Sequence, residues 1–468
     1  MPRTDTLLHP AARLVDAATG AALSGGALRA RVDEAATDYL RAPSGLVMAR
    51  TPISVDAAVR YLGAMAAGRP IVLLDPALPA ATTHDLIRRY EPAVLIGGTD
   101  APDGYRAAEL PALGRAWCPE RPPETEPHPE LCLLLATSGS TGSPKLVRLS
   151  RTAVLANARS IAAALGIDGD QVAPTSLPLF YSYGLSVLNS HLVAGATVVF
   201  EAEGIVGRAF WTAVTGHGVT SLAAVPAQYE MLRRLRFDPA RHPALRTLTQ
   251  AGGPLRPELL TDFAARMAAV GGDLRVMYGQ TEATARMTVL PPGRLDDKPD
   301  SVGPAVPGGR LAIRAGDGEP VTSPRITGEV VYQGPNVMMG YAEHAADLAR
   351  GDDLKGTLAT GDLGHLDDEG FLYLTGRLKR IGKVFGTRLN LDDVERLAAG
   401  LGGVAAVGAD DRVVVWAERA SAEACRGAAS ALAERLRLHH TGVEVRGIDR
   451  LPLLPNGKVD YRALEARS

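Results

Sequence analysis

Leu131-Cys132-Leu133-Leu134-Leu135-Ala136-Thr137-Ser138-Gly139-Ser140-Thr141-Gly142-Ser143-Pro144-Lys145 joins an unbroken apolar run to a string of small, hydroxylated residues that ends on a lysine. The apolar run predicts a strand buried on both faces. The string of small residues after it predicts an anion cradle. Small residues let backbone N–H groups approach a phosphate, and the hydroxyls and Lys145 complete its contacts. The loop is not of the Walker A type, because the four-residue gap before an adjacent Gly-Lys is missing.

Upstream of this strand, short apolar runs alternate with amphipathic stretches. SGLVMART, VDAAVRYLGAMAAG, PIVLLD, THDLIRRYE and AVLIG read as β-α-β-α-β, which predicts a parallel sheet with helices on both faces. The Pro-rich segment 118–130 resets the chain before Leu131. Downstream, TAVLANARSIAAALG reads as a helix, and ATVVF, SLAAVP, TLTQAG and LRVMYG read as strands. From about residue 302 the texture changes to RLAIRA, GEVVYQG and GFLYLTG, short alternating runs that predict antiparallel strands. Past Arg377, DDVERLAAGL, RVVVWAE and SAEACRGAASALAERLRL predict a small α+β module. The fold class is therefore α/β: a large N-terminal domain over 1–376, made of fused α/β subdomains plus a β-rich part, followed by the small C-terminal domain.

A chain of 468 residues exceeds one ordinary core, in keeping with two or more domains. The formal net charge of −2, spread along the chain, lacks the concentrated basic surface of a nucleic-acid binder. Cys118, Cys132 and Cys425 are isolated, which argues against a disulfide framework or a metal knuckle. Neither a signal-like apolar segment nor a stretch of membrane-spanning length is present, so a soluble, cytoplasmic protein without membrane partners is expected. Lysines are scarce: of 50 basic residues only six are Lys, at 145, 298, 355, 379, 383 and 458. Lysine retained in so arginine-rich a chain marks places that need a compact ammonium. Four of the six fall in the motifs below.

The loop matches T-S-G-[ST]-T-G-x-P-K in full, and the sequence resembles the adenylate-forming superfamily of acyl-CoA synthetases, peptide-synthetase adenylation domains and firefly luciferase. The resemblance covers nearly the whole chain, with the motifs in family order. It implies activation of an acid by ATP with Mg²⁺, release of pyrophosphate, and transfer of the acyl group to an acceptor. It assigns Thr137, Ser138, Gly139, Ser140, Thr141, Gly142 and Lys145 to the β- and γ-phosphates. In Tyr278-Gly279-Gln280-Thr281-Glu282 it places Thr281 on the α-phosphate and Glu282 on Mg²⁺. Gly252 and Gly253, within Ala251–Pro254, would lie beside the adenine and the acyl pocket. Asp362, in Thr360-Gly361-Asp362, would bind both ribose hydroxyls, with Arg377 as a second ribose contact. Lys379 falls at the family's hinge, here 377–379, about which a mobile domain 380–468 would turn. Lys383, Gly386 and Arg388, followed by Glu395, match the face used for transfer. Lys458, in Pro455-Asn456-Gly457-Lys458, would join the carboxylate and α-phosphate during adenylation. Thr281, Glu282, Lys145 and Lys458 are thus the candidate catalytic residues.

Leu177-Pro178-Leu179-Phe180-Tyr181-Ser182-Tyr183-Gly184-Leu185 corresponds to the acyl-pocket region, with Phe180, Tyr181, Tyr183 and Gly184 as lining. Amino-acid-activating relatives carry there an Asp that pairs with the substrate's ammonium. Tyr181 occupies that place and supplies no negative charge near neutral pH, which favours an aryl or acyl acid without an α-amino group. No fused carrier domain is visible, so the acceptor would be CoA, a free-standing carrier protein or an amine. Two alternatives stay open: the same adenylation with another acid or second step, such as nitrite activation for diazotisation in specialised metabolism, and an inactive nucleotide-binding scaffold. The intact Lys145, Glu282, Asp362 and Lys458 argue against the last.

Overall fold

The computed structural model of the chain describes residues 6–98, 100–136, 145–316, 318–378, 380–385, 387–436, 438–454 and 458–468. It divides into two compact units: Met1–Pro299 with Gly303–Arg310 and Gln333–Leu358, and Asp300–Val302 with Leu311–Tyr332 and Ala359–Ser468.

The first unit is built on three sheets. The largest has eight strands, in the order Gly340–Ala342, Leu146–Ser150, Leu131–Ala136, Ile71–Leu74, Val47–Arg50, Val94–Ile96, Ala116–Pro119, Tyr105–Ala108. The strands starting at Leu131, Ile71, Val47 and Val94 run parallel, as the β-α-β-α-β reading expects. The sheet as a whole is mixed, because the chain returns antiparallel after residue 145 and both edges add antiparallel strands. Ile71–Leu74 is buried at every position, the mark of a strand covered on both faces. A second sheet pairs Val172–Pro174, Thr197–Phe200, Arg13–Asp16 and Ala22–Ser24. The third joins Ser221–Ala224, Thr247–Gln250 and Asp273–Tyr278 in parallel and ends on antiparallel Thr288–Val289. Helices Pro226–Arg234 and Pro257–Ala268 connect its parallel strands and bury Tyr229, Phe263 and Met267 among Leu222, Leu248 and Leu274.

The second unit combines a six-stranded sheet (Ser301–Gly303, Leu372–Arg377, Thr357–Leu366, Gly328–Gln333, Arg310–Arg314, Pro320–Val321) with the C-terminal module. The β-rich stretch thus clusters with the residues after 376 rather than with the α/β sheets. In the module, Val404–Ala409, Arg412–Glu418 and Val443–Ile448 form one sheet, with helices Leu391–Ala398 and Ala422–Leu436. Val394, Val413, Val415 and Leu432 fill its core.

At the start of this module Arg380 ties the parts together. Its guanidinium pairs with Asp392, bonds Glu395 at 2.8 Å and the Ala406 carbonyl at 2.7 Å, and lies 3.9 Å from the centroid of the Tyr461 ring. Glu395 also accepts from the Ala406 N–H at 2.7 Å. Burial pushes the Glu395 carboxyl above its ordinary range, against the pull of Arg380. Glu395, noted in sequence for its place after the Lys383–Arg388 motif, is thus a bracing residue of the module. Arg380→Met should leave this carboxylate buried without its main partner and destabilise the unit by about 3–5 kcal/mol in chemical denaturation. Arg380→Met with Glu395→Met should recover most of that loss, since neither charge is then stranded.

Candidate functional site

Residues 137–144, which include Thr137, Ser138, Gly139, Ser140, Thr141 and Gly142, lie outside the described residues, as do Lys379, Gly386 and 455–457. The flanks of the phosphate loop are described. Ala136 and Leu146 face each other across an antiparallel pairing, so the two ends of the segment are held side by side. Lys145 meets Glu343 at 2.6 Å and stands 6.0 Å from the centroid of the Tyr341 ring. Tyr341 belongs to the edge strand Gly340–Ala342, opposite Val147, and its hydroxyl donates to Glu282 Oε1 at 2.8 Å. Burial and the neighbouring Glu282 carboxylate push the Tyr341 phenol up, which keeps it a neutral donor. The strand after the loop and the strand beside it therefore bring Lys145 and Glu282 to one place. Glu282 is a hard oxygen donor of the kind Mg²⁺ takes, one carboxylate being enough where phosphates and water supply the rest.

Thr281 and Glu282 occupy a short 3-10 turn after the strand Asp273–Tyr278. A side chain at Gly279 could not fit: its Cβ would lie 1.8 Å from the Ala285 carbonyl oxygen. Thr284 carries a positive φ of 65° and is buried, and its hydroxyl donates to the Asn336 carbonyl at 2.8 Å. Asn336 Nδ2 donates to the Ala283 and Arg286 carbonyls at 2.9 and 3.1 Å. Asn157 grips Arg286 from both sides, accepting from its N–H at 3.2 Å and donating to its carbonyl at 2.8 Å. These contacts fix the reversal 279–286. Thr281 Oγ1 in turn meets Ser182 Oγ at 3.1 Å.

Ser182 begins the helix Ser182–Ala194, with Tyr181 at its N-cap position and Phe180 half-buried just before it. Gly184 permits the helix start to press on the preceding segment, since a Cβ would fall 2.2 Å from the Pro178 carbonyl oxygen. Gly252 has φ 91°, and a Cβ there would lie 2.8 Å from the Tyr181 hydroxyl. Tyr181 is thus seated against the Gly252 backbone, which joins two predicted pocket segments; Gly253 lies near Pro226. Tyr183 is buried, bonds Thr249 Oγ1 at 2.8 Å and its carbonyl at 3.0 Å, and has its phenol pushed up to about 12 by burial. The rings of Tyr181 and Tyr183 meet edge to face at 6.3 Å.

The second unit carries the remaining candidates. Asp362 is buried in the strand Thr357–Leu366, opposite Arg377 on Leu372–Arg377, and accepts from Arg377 Nε at 2.9 Å. Thr360 holds the turn by accepting from the Asp362 N–H at 3.1 Å and donating to the Val330 carbonyl at 2.7 Å. Lys383 is exposed on the hairpin Ile381–Val384/Thr387–Asn390, at the register of Arg388. Lys458 is half-buried, next to Val459, which pairs with Leu453 in an antiparallel bridge. The candidates of the first unit gather around Glu282 and Tyr181, and Asp362 and Arg377 gather in the second. Sequence reasoning missed Tyr341, Ser182, Asn157, Asn336 and Arg286. Two had a signal: Ser182 lies inside the stretch Leu177–Leu185 already singled out, and Arg286 stands four residues past Glu282, just beyond the motif.

Residues 8–342 match the family model described as AMP-binding enzyme. The chain is 35% identical to indoleacetate–CoA ligase of Aromatoleum aromaticum, over 74% of this chain and 69% of that protein. It is 33% identical to sulfoacetate–CoA ligase of Cupriavidus necator, over 77% of this chain and 71% of the other. Among solved structures, o-succinylbenzoate CoA synthetase from Bacillus subtilis in complex with its acyl-adenylate intermediate shares the fold. That likeness has a TM-score of 0.77 and 22% identity, covering 97% of this chain and 94% of that one. The chain belongs to the AMP-binding enzyme family of the adenylate-forming superfamily and is an AMP-forming acid ligase that uses ATP and Mg²⁺.

Proposed function

We propose that the chain activates a carboxylic acid lacking an α-amino group and passes the acyl group to CoA. In the first step a carboxylate oxygen attacks the α-phosphorus, the bond to the bridging oxygen breaks, and pyrophosphate leaves with the electron pair. In the second, the acceptor thiolate adds to the acyl carbon and AMP departs. Mg²⁺ supplies neutralisation of the phosphate charge. Thr281 would hold the α-phosphate, Glu282 the metal, and Lys145 with the loop 137–142 the leaving phosphates. Asp362 and Arg377 would take the ribose, and Gly252, Gly253, Tyr278, Gly279 and Gln280 the rest of the nucleotide. Lys458 would sit between carboxylate and α-phosphate. Lys383, Gly386 and Arg388 would form the transfer face of a C-terminal domain, 380–468, that turns on the 377–379 hinge against 1–376. The free, buried state of Cys118, Cys132 and Cys425 supports a reducing cytoplasmic setting, and among the described residues no helix is long and apolar enough to cross a membrane.

The choice of acid rests on Tyr181: by resemblance it takes the place of the amine-pairing Asp of amino-acid-activating relatives, and its seat against Gly252 supports that reading. The names of the relatives, CoA ligases both, support CoA over a carrier protein or an amine as acceptor. A pyrophosphate-release screen over aryl, acyl and dicarboxylic acids, amino acids and nitrite tests the reading. Non-amino carboxylic acids should be fastest, and CoA should yield a thioester. A fastest response to a proteinogenic amino acid would overturn the choice of acid, and one to nitrite would favour diazotisation.

The two half-reactions separate the roles within the C-terminal domain. Lys458→Ala should slow pyrophosphate exchange by about 100-fold or more, as when a preorganised charge is lost from a transition state. Thioester formation from a synthetic acyl-adenylate should stay within a few-fold of the parent enzyme. Equal loss in both assays would remove Lys458 from an adenylation-specific role.

A further inference from the structure

Three arginines are buried among the described residues: Arg69, Arg148 and Arg286. Two are fully engaged. Arg69 donates to the carbonyls of Tyr39, Gly45 and Pro43, and Arg148 to those of Met339, Tyr341 and Gly351 and to the Asp353 carboxylate. Arg286 differs. It is 2% exposed, its Nε has no hydrogen-bond partner, and its guanidinium lies over the Tyr183 ring, 4.5 Å from the centroid. A cation–π contact offsets only part of the cost of desolvating a full charge. Burial accordingly pushes its guanidinium down.

Arg286 lines a cavity with Tyr183, Thr249, Met277, Ser186 and His191, and it is the one charged side chain among the described lining residues. His191 does not compete for an anion as a cation: burial pushes it down to about 4, and its Nδ1 is bonded to the Val187 carbonyl at 2.8 Å. The cavity offers about 30 Å³ to the centre of a water-sized sphere. One water needs about 10–15 Å³ on that measure, so the space suits a substituent of a few heavy atoms. Its walls share elements with the proposed reaction centre: Met277 stands on the strand Asp273–Tyr278 that leads to Thr281, and Tyr183 on the helix Ser182–Ala194. Ser182 touches Thr281, while Tyr183, the next residue, forms the cavity wall.

We propose that this cavity receives a second anionic group of the acid substrate, with Arg286 as its ion-pair partner. The preferred acid is then short: a reactive carboxylate joined through a few atoms to a carboxylate, sulfonate or phosphonate. This rests on the reading of the chain as a ligase of non-amino acids. It adds a selectivity that neither the family nor Tyr181 supplies.

The test compares short dicarboxylates, and the matching sulfonates and phosphonates, each with a neutral isostere in which the second acid is an amide. Binding to the full chain is measured by calorimetry, and activation by ATP–pyrophosphate exchange. The dianionic acids should exceed their isosteres at least tenfold in both, with the best of the three classes naming the second anion. Arg286→Met, close in volume, should lower the ratio of kcat/KM between dianion and isostere by about 100-fold, the effect of removing one partner of a desolvated charge pair. Arg286→Lys should restore part of it. Because the preference of the unaltered enzyme needs no variant, a misfolded Arg286→Met would not rescue the idea. Equal handling of dianion and isostere by the unaltered enzyme overturns the proposal, as does an equal loss of both in a folded Arg286→Met, which would make Arg286 a structural prop. Adenylation of neutral acids without gain from a second anion sinks the anion site and keeps the ligase reading. Arg286-dependent binding of dianions without pyrophosphate exchange does the reverse.

Discussion

At Gly279 a backbone carbonyl occupies the space a side chain would need, and that close approach sets the geometry of the first unit's site. The Ala285 oxygen would lie 1.8 Å from any Cβ at 279, so the chain can double back on itself directly after the strand Asp273–Tyr278. Doubling back places Thr284 at φ 65°, a conformation costly for a β-branched residue. The cost is met by the surroundings: Asn336 and Asn157 hold the reversal through side-chain bonds to its backbone. Within eight residues the chain then presents a hydroxyl and a carboxylate, Thr281 and Glu282, and a buried guanidinium, Arg286. Preorganised groups of this sort need no rearrangement when charge develops, which is where electrostatic catalysis draws most of its advantage.

The strand Leu146–Ser150 extends the same constraint to the phosphate loop. Lys145 leads into it; the edge strand Gly340–Ala342 beside it supplies Tyr341, which bonds Glu282, and Glu343 just past its end pairs with Lys145. A cation assigned to the leaving phosphates and a carboxylate assigned to the metal thus share one scaffold. Their partner Tyr341 stays protonated because burial and Glu282 both disfavour its anion. In the proposed role of Lys145, phosphate would compete with Glu343 for its ammonium and leave the Tyr341–Glu282 bond in place, since the two carboxylates have separate partners.

Much of this was legible in sequence, unevenly and for physical reasons. Strands such as Ile71–Leu74 and Leu131–Ala136 announce themselves because burial on both faces demands an unbroken apolar run. The helix Ser182–Ala194 does not. It is buried on nearly all sides, yet it carries Ser182, Ser186, Asn189, Ser190 and His191. No apolar stripe contrasts with a wet face, so periodicity is silent. Ser186, Ser190 and His191 bond carbonyls of their own helix, while Asn189 donates to Tyr61 and Ser182 meets Thr281, partners distant in sequence that no local pattern reveals. The motif glycines and acids could be read one by one. Their supports, Asn157 and Asn336, could not, because an asparagine in a helix or a loop looks the same whether it faces water or a buried backbone. The clustering of the β-rich stretch with the C-terminal module is equally non-local, resting on sheet pairing across residues 301–377.

Arg286 bears also on the proposed absence of an α-amino group in the substrate, independently of the motif comparison. Tyr181 removes a negative partner for an ammonium; Arg286 adds a positive opponent. An ammonium held within about 8 Å of a buried guanidinium is repelled by about 2 kcal/mol at an effective dielectric near 20, a factor of about thirty. The aromatic faces between them do not cancel this, because the Tyr183 ring is already engaged by Arg286 itself. Neutral acids lose nothing to either residue, and an acid with a second anion gains from one of them. On the proposed reading the same two side chains would therefore order the three substrate classes by charge before shape is considered, with amino acids last, whichever carboxylate is activated.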